Sequence, residues 1–250
     1  MNLILLSDPD FVTPDRVRLS GRRFLHIRDV LKPDHGQNLI VGKINGLIGE
    51  GTLIGQTSES IELEVKFKDK PPKALPLTLI LALPRPPMLK RILFSAAMLG
   101  VKKIIILNFN RVEKSLWNSS SLKAPAITEQ LVLGLEQAKD TVMPEVVLKK
   151  GFKPFVEDEL PDLIKGRLAL VAHPDKELNI PSPWWGGQGR GDKEIVLVIG
   201  PEGGIIDFEI ASLKTAGCKT IDLGPRILRT EYVLPYVVGR LFNSIEGSTD

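Results

Sequence analysis

Residues 198–232 read VIGPEGGIIDFEIASLKTAGCKTIDLGPRILRTEY, and a glycine-proline pair occurs twice within this stretch. The first pair, Gly200 and Pro201, ends one apolar run, and the second pair, Gly224 and Pro225, ends the next. Short apolar runs that stop at glycine and proline are typical of buried strands. Open α/β sheets bind their ligands beyond the carboxyl ends of such strands. The stretch therefore predicts two loops that lie side by side at a binding edge.

The chain from residue 77 onward alternates between strand patterns and helix patterns. Pro86 and Pro87 suit the first turn of one predicted helix, and Gly100 suits the residue beyond its end. A second helix is predicted over residues 125–139. The predicted strands are short and apolar, as buried parallel strands are, and they cover residues 77–83, 102–109, the region near Val146, 168–172, 195–199 and 220–223. This alternation predicts an α/β domain with a parallel sheet.

The first seventy residues have a different pattern. Residues 60–67, SIELEVKF, alternate apolar and polar side chains with the period of a half-buried strand. Asn45 and Gly46 stand between apolar pairs, and both residue types tolerate the positive φ of a tight hairpin. The paired prolines of the later segment DKPPKALP indicate a linker. We therefore predict a small β-barrel domain over residues 1–72 and an α/β domain over residues 73–250.

Length and composition limit the class of protein. The 250 residues are 43% hydrophobic, which suffices for one large domain or two modest ones. No apolar run approaches the roughly 20 residues that cross a bilayer, so we expect a soluble, cytoplasmic protein. Cys218 is the single cysteine, which excludes an internal disulfide, and the scattered His26, His35 and His173 predict no metal site. The net charge of +3 permits an acidic partner such as RNA without requiring one.

The glycine-rich segments lack the common phosphate-binding signatures. The first loop, GPEGG, has no Gly-Lys-Ser/Thr ending of a Walker loop, and the glycines of residues 181–192 do not match a dinucleotide fingerprint. We expect residues 181–192 to form a surface loop. Glycines in the first loop let backbone approach a ligand closely, and Asp207 can cap the helix that follows. The alternative is that both loops are ordinary strand-to-helix turns whose charged side chains cap helices.

Two motifs resemble a known family when they are taken together. LVIGPEGG at residues 197–204 and LGPRILRTE at residues 223–231 are similar to the E-type small-subunit ribosomal RNA methyltransferases (RsmE) of the SPOUT superfamily. Weaker similarity lies in four further segments, so the resemblance covers nearly the whole chain: FLHIRDVLKPDHGQ at 24–37, LGVKKI at 99–104, GLEQAKDTVMPEV at 134–146 and LVAHP at 170–174.

The resemblance implies a fold and an activity. It implies a PUA-like barrel for RNA, followed by an α/β domain whose end is tied in a deep trefoil knot, and a homodimer. The implied reaction is methylation of N3 of a uridine in small-subunit ribosomal RNA, free or within the assembled small ribosomal subunit. S-adenosylmethionine is the implied cofactor. By the same resemblance its pocket contains Leu170, His173, Gly200, Pro201, Glu202, Gly203, Leu223, Gly224, Ile227 and Leu228.

Methylation at N3 needs a group that handles a proton, because uridine N3 carries one. We predict that Glu231 accepts or orients this proton, and that Arg229 or Arg226 holds a phosphate or the developing enolate. Glu202 is the rival carboxylate, although its place in the loop equally suits loop shape. For Arg226 the alternative is an ion pair across the dimer, and for His173 it is a structural role.

The last helix carries an apolar stripe through which we predict that the homodimer forms. The stripe consists of Leu234, Val238, Leu241 and Ile245. Pro235 is compatible with this helix if it lies in the first turn.

We expect the first domain to provide most of the contact with RNA. Six basic residues cluster there with only Asp29 as an acidic neighbour in the span: Arg16, Arg18, Arg22, Arg23, Arg28 and Lys32. A solvated surface is the alternative for any one of these side chains.

The chain departs from the family pattern at three places. Tyr232 and Val233 stand where Thr-Ala is usual after the glutamate, Met98 stands where the family has Glu, and Asp140 stands where arginine is common. Two other functions stay open: ribose 2′-O-methylation of RNA by the same kind of fold, and a binding-only protein that has lost catalysis.

Overall fold

The structure is a computed structural model, and it describes residues 1–174 and 194–242. The predicted surface loop at residues 181–192 and Ile245 of the predicted apolar stripe therefore lie outside the described residues. No helix in the described parts of the chain is long and apolar enough to cross a membrane.

The chain forms two compact units. The first contains Met1–Lys73 and Leu131–Met143, and the second contains Ala74–Gln130 with the described residues from Pro144 onward. A segment from the middle of the sequence thus joins the first unit. The division into an RNA-binding domain at residues 1–72 and a methyltransferase domain at residues 73–250 stays a prediction.

A mixed sheet of six strands forms the first unit. Its strands are β1 (Ile4–Leu6), β2 (Phe11–Thr13), β3 (Arg16–Ser20), β4 (Asn38–Lys43), β5 (Ile48–Gln56) and β6 (Ser60–Asp69). The order across the sheet is β1-β4-β5-β6-β3-β2, with β1 parallel to β4 and the other neighbours antiparallel. Helix α1 (Gly21–His26) follows β3 and continues into a wider helical turn at Ile27–Leu31.

One apolar core fills the first unit. The predicted alternation of β6 is confirmed, because Ile61, Leu63 and Val65 point inward and are buried. Both edge strands reach the same core, through Leu6 on β1 and the half-buried Phe11 on β2. The sheet therefore curls around its core. Within the described residues β1 and β2 do not pair with each other, so the predicted barrel is an open curled sheet.

The predicted hairpin between β4 and β5 forms with one difference. Asn45 has a φ of 58°, as expected, whereas Gly46 has no positive φ. The loop is closed by hydrogen bonds from Gly46 N to the Lys43 carbonyl and from Lys43 N to the Leu47 carbonyl. Asn45 adopts the left-handed conformation readily because its short polar side chain can bond locally.

A parallel sheet of six strands forms the centre of the second unit. Its strands are β7 (Leu75–Ala82), β8 (Val101–Leu107), β9 (Glu145–Lys149), β10 (Leu168–Ala172), β11 (Ile195–Ile199) and β12 (Lys219–Ile221). Their order is β12-β10-β11-β7-β8-β9, and every pairing is parallel. All six strands were predicted, and β10 and β11 have the predicted bounds. The predicted α/β fold with a parallel sheet is confirmed.

The helices of the second unit connect these strands. They are α2 (Pro86–Met98), α3 (Ala124–Ala138), α4 (Phe152–Pro154), α5 (Leu160–Ile164), α6 (Asp207–Thr215) and α7 (Thr230–Leu241). Helix α2 begins at Pro86 as predicted, and Gly100 lies just past its end with a φ of 83°. Glycine is favoured at such a position because it has no Cβ to oppose a left-handed conformation.

Two details of the predicted helices are wrong. Asp207 is the first residue of α6 rather than its cap, and the Glu209 carboxylate instead accepts the Ile206 backbone N–H at 3.3 Å. Pro235 lies inside α7 rather than in its first turn, because the helix already begins at Thr230. Proline has no N–H, so it cannot donate to the carbonyl of Glu231 four residues earlier.

The second half of α3 and the residues after it belong to the first unit. The Glu136 carbonyl accepts the N–H groups of Asn2 and Leu3, which attaches the helix to the start of β1. The turn at Asn45 is held from the same segment, since Asn45 N donates to the Thr141 carbonyl and Met143 N donates to the Asn45 side chain. These bonds connect residues about a hundred positions apart, which no local pattern reveals.

Candidate active site and RNA-binding surface

Four parallel strands end at the same level and open a cavity. The register pairs Ile199 on β11 with Leu81 on β7 and with Ala172 on β10, which in turn pairs with Ile221 on β12. The segments that follow these residues surround a cavity of about 650 Å³. Pockets of this size suit a small-molecule ligand. The cavity lies at the edge where the sequence predicted binding.

Gly200, Pro201, Glu202 and Gly204 of the first loop line the cavity. A Cβ atom on Gly200 would overlap the Ile205 side chain, so this position requires glycine for space. Gly204 has a φ of 81° and its N–H donates to the Pro201 carbonyl at 2.8 Å, which closes a tight turn. The loop therefore presents backbone, with little side chain, to the cavity.

The mouth of the cavity carries a charged group that the sequence analysis missed. Arg85, which follows β7, lines the cavity and donates to the Glu113 carboxylate at 2.9 Å. This hydrogen bond and the charges of Glu113 and Glu202 raise the pKa of Arg85 above its usual value. The Arg85 Nε lies 3.7 Å from the nearest Glu202 oxygen. Glu202 is thus partly neutralised by a neighbouring cation.

The second loop forms the opposite wall. Gly224 has a φ of 106° and its N–H donates to the Asp222 side chain at 2.9 Å. The Tyr236 hydroxyl on α7 donates to the Leu223 carbonyl at 3.1 Å, so the loop is fixed to the helix that follows it. Ile227 lines the cavity although it is 98% exposed. The second loop therefore contributes a fixed backbone and the apolar side chain of Ile227 to the cavity wall.

The predicted catalytic residues come together at the start of α7. Glu231, Arg229 and Arg226 all line the cavity. Glu231 is only 6% exposed, and its Oε1 lies 3.4 Å from Nη1 of Arg91 on α2. Arg229 precedes the first turn of the helix, and its carbonyl accepts the Tyr232 N–H. The cavity is therefore lined by one buried carboxylate, Glu231, and by two exposed arginines, Arg226 and Arg229.

Most of the predicted cofactor residues line the cavity. Leu170 does not, because it lies inside β10 and is 1% exposed, and Gly203 does not, because it faces Arg111. The predicted cofactor residues that line the cavity are His173, Gly200, Pro201, Glu202, Leu223, Gly224, Ile227 and Leu228. The sequence analysis missed Arg85, Met88, Asp222 and Thr230, which also line it. Arg85 and Met88 follow β7 and Asp222 follows β12, and these positions at the carboxyl ends of strands were the available signal, whereas Thr230 begins α7.

The predicted RNA-binding residues lie in the first unit and differ in their contacts. Arg16 and Arg18 project from the outer face of β3, where Arg18 pairs with Glu62 at 2.7 Å. Arg28 pairs with its neighbour Asp29. Lys32 is exposed at a position with a φ of 47°. Exposed ion pairs contribute little to stability, so these side chains can exchange partners at small cost.

Arg23 has a structural environment. Its guanidinium donates to both Asp10 oxygens, at 2.7 and 2.5 Å, and to the Leu5 carbonyl at 2.7 Å. Burial raises the pKa of Asp10, but the hydrogen bonds from Arg23 and Ser7 outweigh it and hold the pKa below its usual value. The predicted RNA contact of Arg23 stays a prediction, although the guanidinium is already engaged.

Arg22 is engaged in a similar way. It pairs at 2.8 Å with Glu136, whose side chain is only 2% exposed. Burial raises the pKa of Glu136, and Arg22 opposes that effect. The other Glu136 oxygen, Oε1, has no hydrogen-bond partner among the described atoms. Loss of Arg22 would leave a buried carboxyl group without its main partner.

The single cysteine and the metal-ligating residue types show no functional cluster. Cys218 is buried at 4% exposure, and burial raises the pKa of its thiol to about 12. Among the described residues no group of three or more His, Cys, Asp or Glu side chains is arranged to hold a metal ion.

The class of protein follows from this fold and cavity together with a family match. The family model for the RNA methyltransferase domain matches residues 71–241, which is more than half of the chain. The chain belongs to this family, and the predicted family resemblance is confirmed.

Two relatives are similar to the chain over most of its length. The ribosomal RNA small subunit methyltransferase E of Treponema pallidum is 29% identical over 237 residues, covering 92% of this chain and 86% of the relative. Its namesake from Borreliella burgdorferi, methyltransferase E 1, is 25% identical over 236 residues, covering 92% and 93%. Both alignments include the first unit as well as the second.

Solved structures share the fold. The ribosomal RNA small subunit methyltransferase E of Neisseria gonorrhoeae, bound to S-adenosylmethionine, has a TM-score of 0.71 at 21% identity and 96% coverage of both chains. A protein of Legionella pneumophila in complex with the same cofactor has a TM-score of 0.74 at 21% identity and 98% coverage. The predicted cofactor is thus bound by proteins of this fold.

Replacement of Arg23 by Met should destabilise the first unit by about 2 kcal/mol, because Asp10 and the Leu5 carbonyl would lose a charged partner. Arg18→Met removes only an exposed pair and should cost less than about 1 kcal/mol. Since the pKa of Asp10 is lowered, its stabilising effect is present above the usual aspartate pKa of about 3.9 and is lost as the pH falls below it. Urea unfolding followed by circular dichroism at pH 7 and pH 3 measures both effects. Equal losses for the two variants at pH 7 would contradict the assignment.

Proposed function

We propose that this protein transfers the methyl group of S-adenosylmethionine to N3 of a uridine in small-subunit ribosomal RNA. The observation that carries the proposal is the cavity at the carboxyl edge of the parallel sheet, where two glycine-containing loops meet the buried Glu231 and the exposed Arg226 and Arg229. The names of the relatives support the substrate class, and the ligands of the solved structures support the cofactor.

The residues of the cavity suit S-adenosylmethionine. Backbone groups of residues 199–204 and 222–228 are available to bond adenine and ribose, because Gly200 and Gly224 carry no side chain. Met88, Leu223 and Leu228 offer apolar surface for the adenine ring. S-adenosylmethionine supplies a methyl group made electrophilic by a sulfonium. The protein's part is to hold that methyl group against the base and to exclude water.

Millimolar S-adenosylmethionine should raise the melting temperature by several degrees, because the ligand binds the native state. Gly200→Ala should abolish most of this shift, since the new methyl group meets Ile205 and displaces the loop. Gly239→Ala is the matched control, because a Cβ there meets no atom within 4 Å. Differential scanning fluorimetry measures the shifts. A wild-type protein without any shift would count against the cofactor.

We assign the proton transfer at N3 to Glu231. This carboxylate is buried beside the cavity, and a water-excluded base is effective because it competes with little solvent. Glu202 is more exposed, at 39% of its side chain, and lies near Arg85. Arg226 and Arg229 are exposed on the same wall and can hold a phosphate or the developing negative charge on the uracil ring. The target base must be turned out of any stack to reach this edge.

Glu231→Gln should lower turnover about a hundredfold or more while changing cofactor affinity less than about twofold, because glutamine keeps the shape but accepts no proton. Glu202→Gln tests the rival carboxylate and should lower turnover much less than Glu231→Gln does. The assay is tritiated methyl transfer to purified small subunits and to free ribosomal RNA, followed by nucleoside mass spectrometry.

Each outcome of that assay has a clear meaning. A fully active Glu231→Gln enzyme would overturn the role of Glu231. Methyl groups found on ribose would support the ribose-methylating alternative. Cofactor binding without transfer to either substrate would support the binding-only alternative.

We propose that RNA binds the first unit through the exposed basic residues Arg16 and Lys32, aided by Arg18 and Arg28. Arg16→Gln and Lys32→Gln should each weaken RNA binding and reduce the slope of affinity against salt by about one, because each removes one phosphate contact. Lys68→Gln is the matched control, since Lys68 is exposed in the same unit but pairs with Glu50 at 2.7 Å. Filter binding to small-subunit RNA over a range of salt concentrations measures the slopes. Equal effects from all three variants would contradict this location.

The family resemblance supports three finer proposals. We propose that the first unit is PUA-like, that the C-terminal segment forms a deep trefoil knot, and that the protein is a cytoplasmic homodimer. Helix α7 packs against α2 in the chain itself, and Leu234 and Val238 are buried there. The exposed Tyr232, at 57%, is therefore a better candidate for a dimer contact than the predicted apolar stripe. Sedimentation equilibrium of the wild-type protein tests the dimer.

A further inference from the structure

A loop outside the cavity is bonded to the first cavity loop. Arg111 lies in the segment after β8, and its Nη1 donates to the Gly203 carbonyl at 2.5 Å. The two residues are 92 positions apart in the sequence. Arg111 is absent from the described lining of the cavity. Its hydrogen bond is therefore made to Gly203, a loop residue that does not itself line the cavity.

The stem of Arg111 also favours glycine at residue 203. A Cβ atom on Gly203 would lie 3.3 Å from Cδ and 3.4 Å from Cβ of Arg111, closer than such atoms normally approach. Gly203 itself does not line the cavity. The missing side chain thus makes room for an arginine, whereas Gly200 makes room for Ile205 within the loop.

A second connection fixes the far end of the same loop. The Glu209 carboxylate is 2% exposed and accepts the Asn110 N–H at 2.6 Å through Oε1. Its other oxygen accepts the Ile206 N–H at 3.3 Å. Residues 110 and 111 therefore hold the loop at two points, one through the side chain of Arg111 and one through the backbone of Asn110.

We propose that Arg111 is a positioning residue that holds residues 200–206 in the shape that binds S-adenosylmethionine. The inference rests on the proposed function, because it concerns the same cavity. A loop that is already ordered loses less conformational freedom when a ligand binds, and so it binds more tightly. Without the Arg111 hydrogen bond, the loop must be ordered when the cofactor binds. The free energy of that ordering lowers the affinity for the cofactor. The effect is on cofactor affinity, and the step of methyl transfer at Glu231 is not directly altered.

Three variants test this role by isothermal titration with S-adenosylmethionine. Arg111→Met keeps the packing of the stem and removes the donor, and it should raise the dissociation constant about tenfold. Arg111→Lys keeps one charged donor and should restore part of the affinity. Arg167→Met is the matched control, because Arg167 also donates to a backbone carbonyl, that of Leu163, but away from the cavity. It should stay within about twofold of the wild type.

Kinetics separate positioning from general damage. Arg111→Met should raise KM for S-adenosylmethionine by a similar factor and leave kcat at saturating cofactor nearly unchanged. A variant that is merely misfolded would lose active enzyme and lower kcat instead. Melting curves without ligand check that each variant is folded. If Arg111→Met does not fold, Arg111→Lys replaces it in the test.

A double-mutant cycle tests whether Gly203 acts through Arg111. Gly203→Ala should weaken cofactor binding about threefold in the wild type and much less in the Arg111→Ala background, where Cγ and Cδ of the stem are gone. If Gly203 instead touched the cofactor, the substitution would cost the same in both backgrounds.

The outcomes distinguish the two proposals. A wild-type protein that does not bind S-adenosylmethionine overturns the proposed function and this inference together. If the wild-type protein binds S-adenosylmethionine and Arg111→Met has the same dissociation constant as Arg167→Met, only the role of Arg111 is overturned. If Arg111→Met binds the cofactor tenfold more weakly but Gly203→Ala has the same effect in both backgrounds, the role of Arg111 stands and the explanation of Gly203 is overturned.

Discussion

The register of the parallel sheet is the constraint on which the rest of the second unit depends. Hydrogen bonds between neighbouring strands place four residues in one row across the sheet: Leu81, Ile199, Ala172 and Ile221. The segments after them must therefore leave the sheet at the same level. The strands keep this register through these hydrogen bonds and through the close packing of their buried Val, Ile and Leu side chains, which a slip of one residue would disrupt on both faces of the sheet. A ligand cavity at this edge follows from the packing of the sheet.

The cavity loops show how one residue type can serve different physical needs. Gly200 avoids a clash with Ile205 inside the loop, Gly203 leaves space for Arg111, and Gly204 adopts a positive φ. None of these three needs is the close approach of a ligand by itself. The loop is shaped mainly by its contacts with the protein, and that shape leaves backbone groups facing the cavity. An arrangement of this kind suits a cofactor whose adenine is bound through backbone hydrogen bonds.

Charge is used differently in the two units. Two of the carboxylates that line the cavity have a cation nearby, Arg91 for Glu231 and Arg85 for Glu202, but the two carboxylates differ in burial. In the first unit Arg22 and Arg23 form structural pairs with buried carboxylates, whereas Arg18 and Arg28 form exposed pairs on the surface. Pairs of the first kind are costly to break because an unpaired charge would be left inside the protein. Pairs of the second kind are weak, which leaves their cations available to a phosphate backbone.

The sequence by itself determined the six strands of the second unit, its longer helices α2, α3, α6 and α7, and the two cavity loops. It also selected the residues to which the proposal assigns the chemistry. These features depend on short-range patterns, such as apolar runs that end at Gly200 and Gly224, which act within a few residues. Only the tertiary structure decided that Arg23 pairs with Asp10, that Arg22 reaches Glu136 across 114 positions, and that Gly203 faces Arg111. It also decided that the buried Leu170 does not line the cavity and that Leu131–Met143 joins the first unit. The physical reason is that a charged side chain or a glycine has no preferred partner until folding brings distant segments together, and burial then fixes which partner it must have.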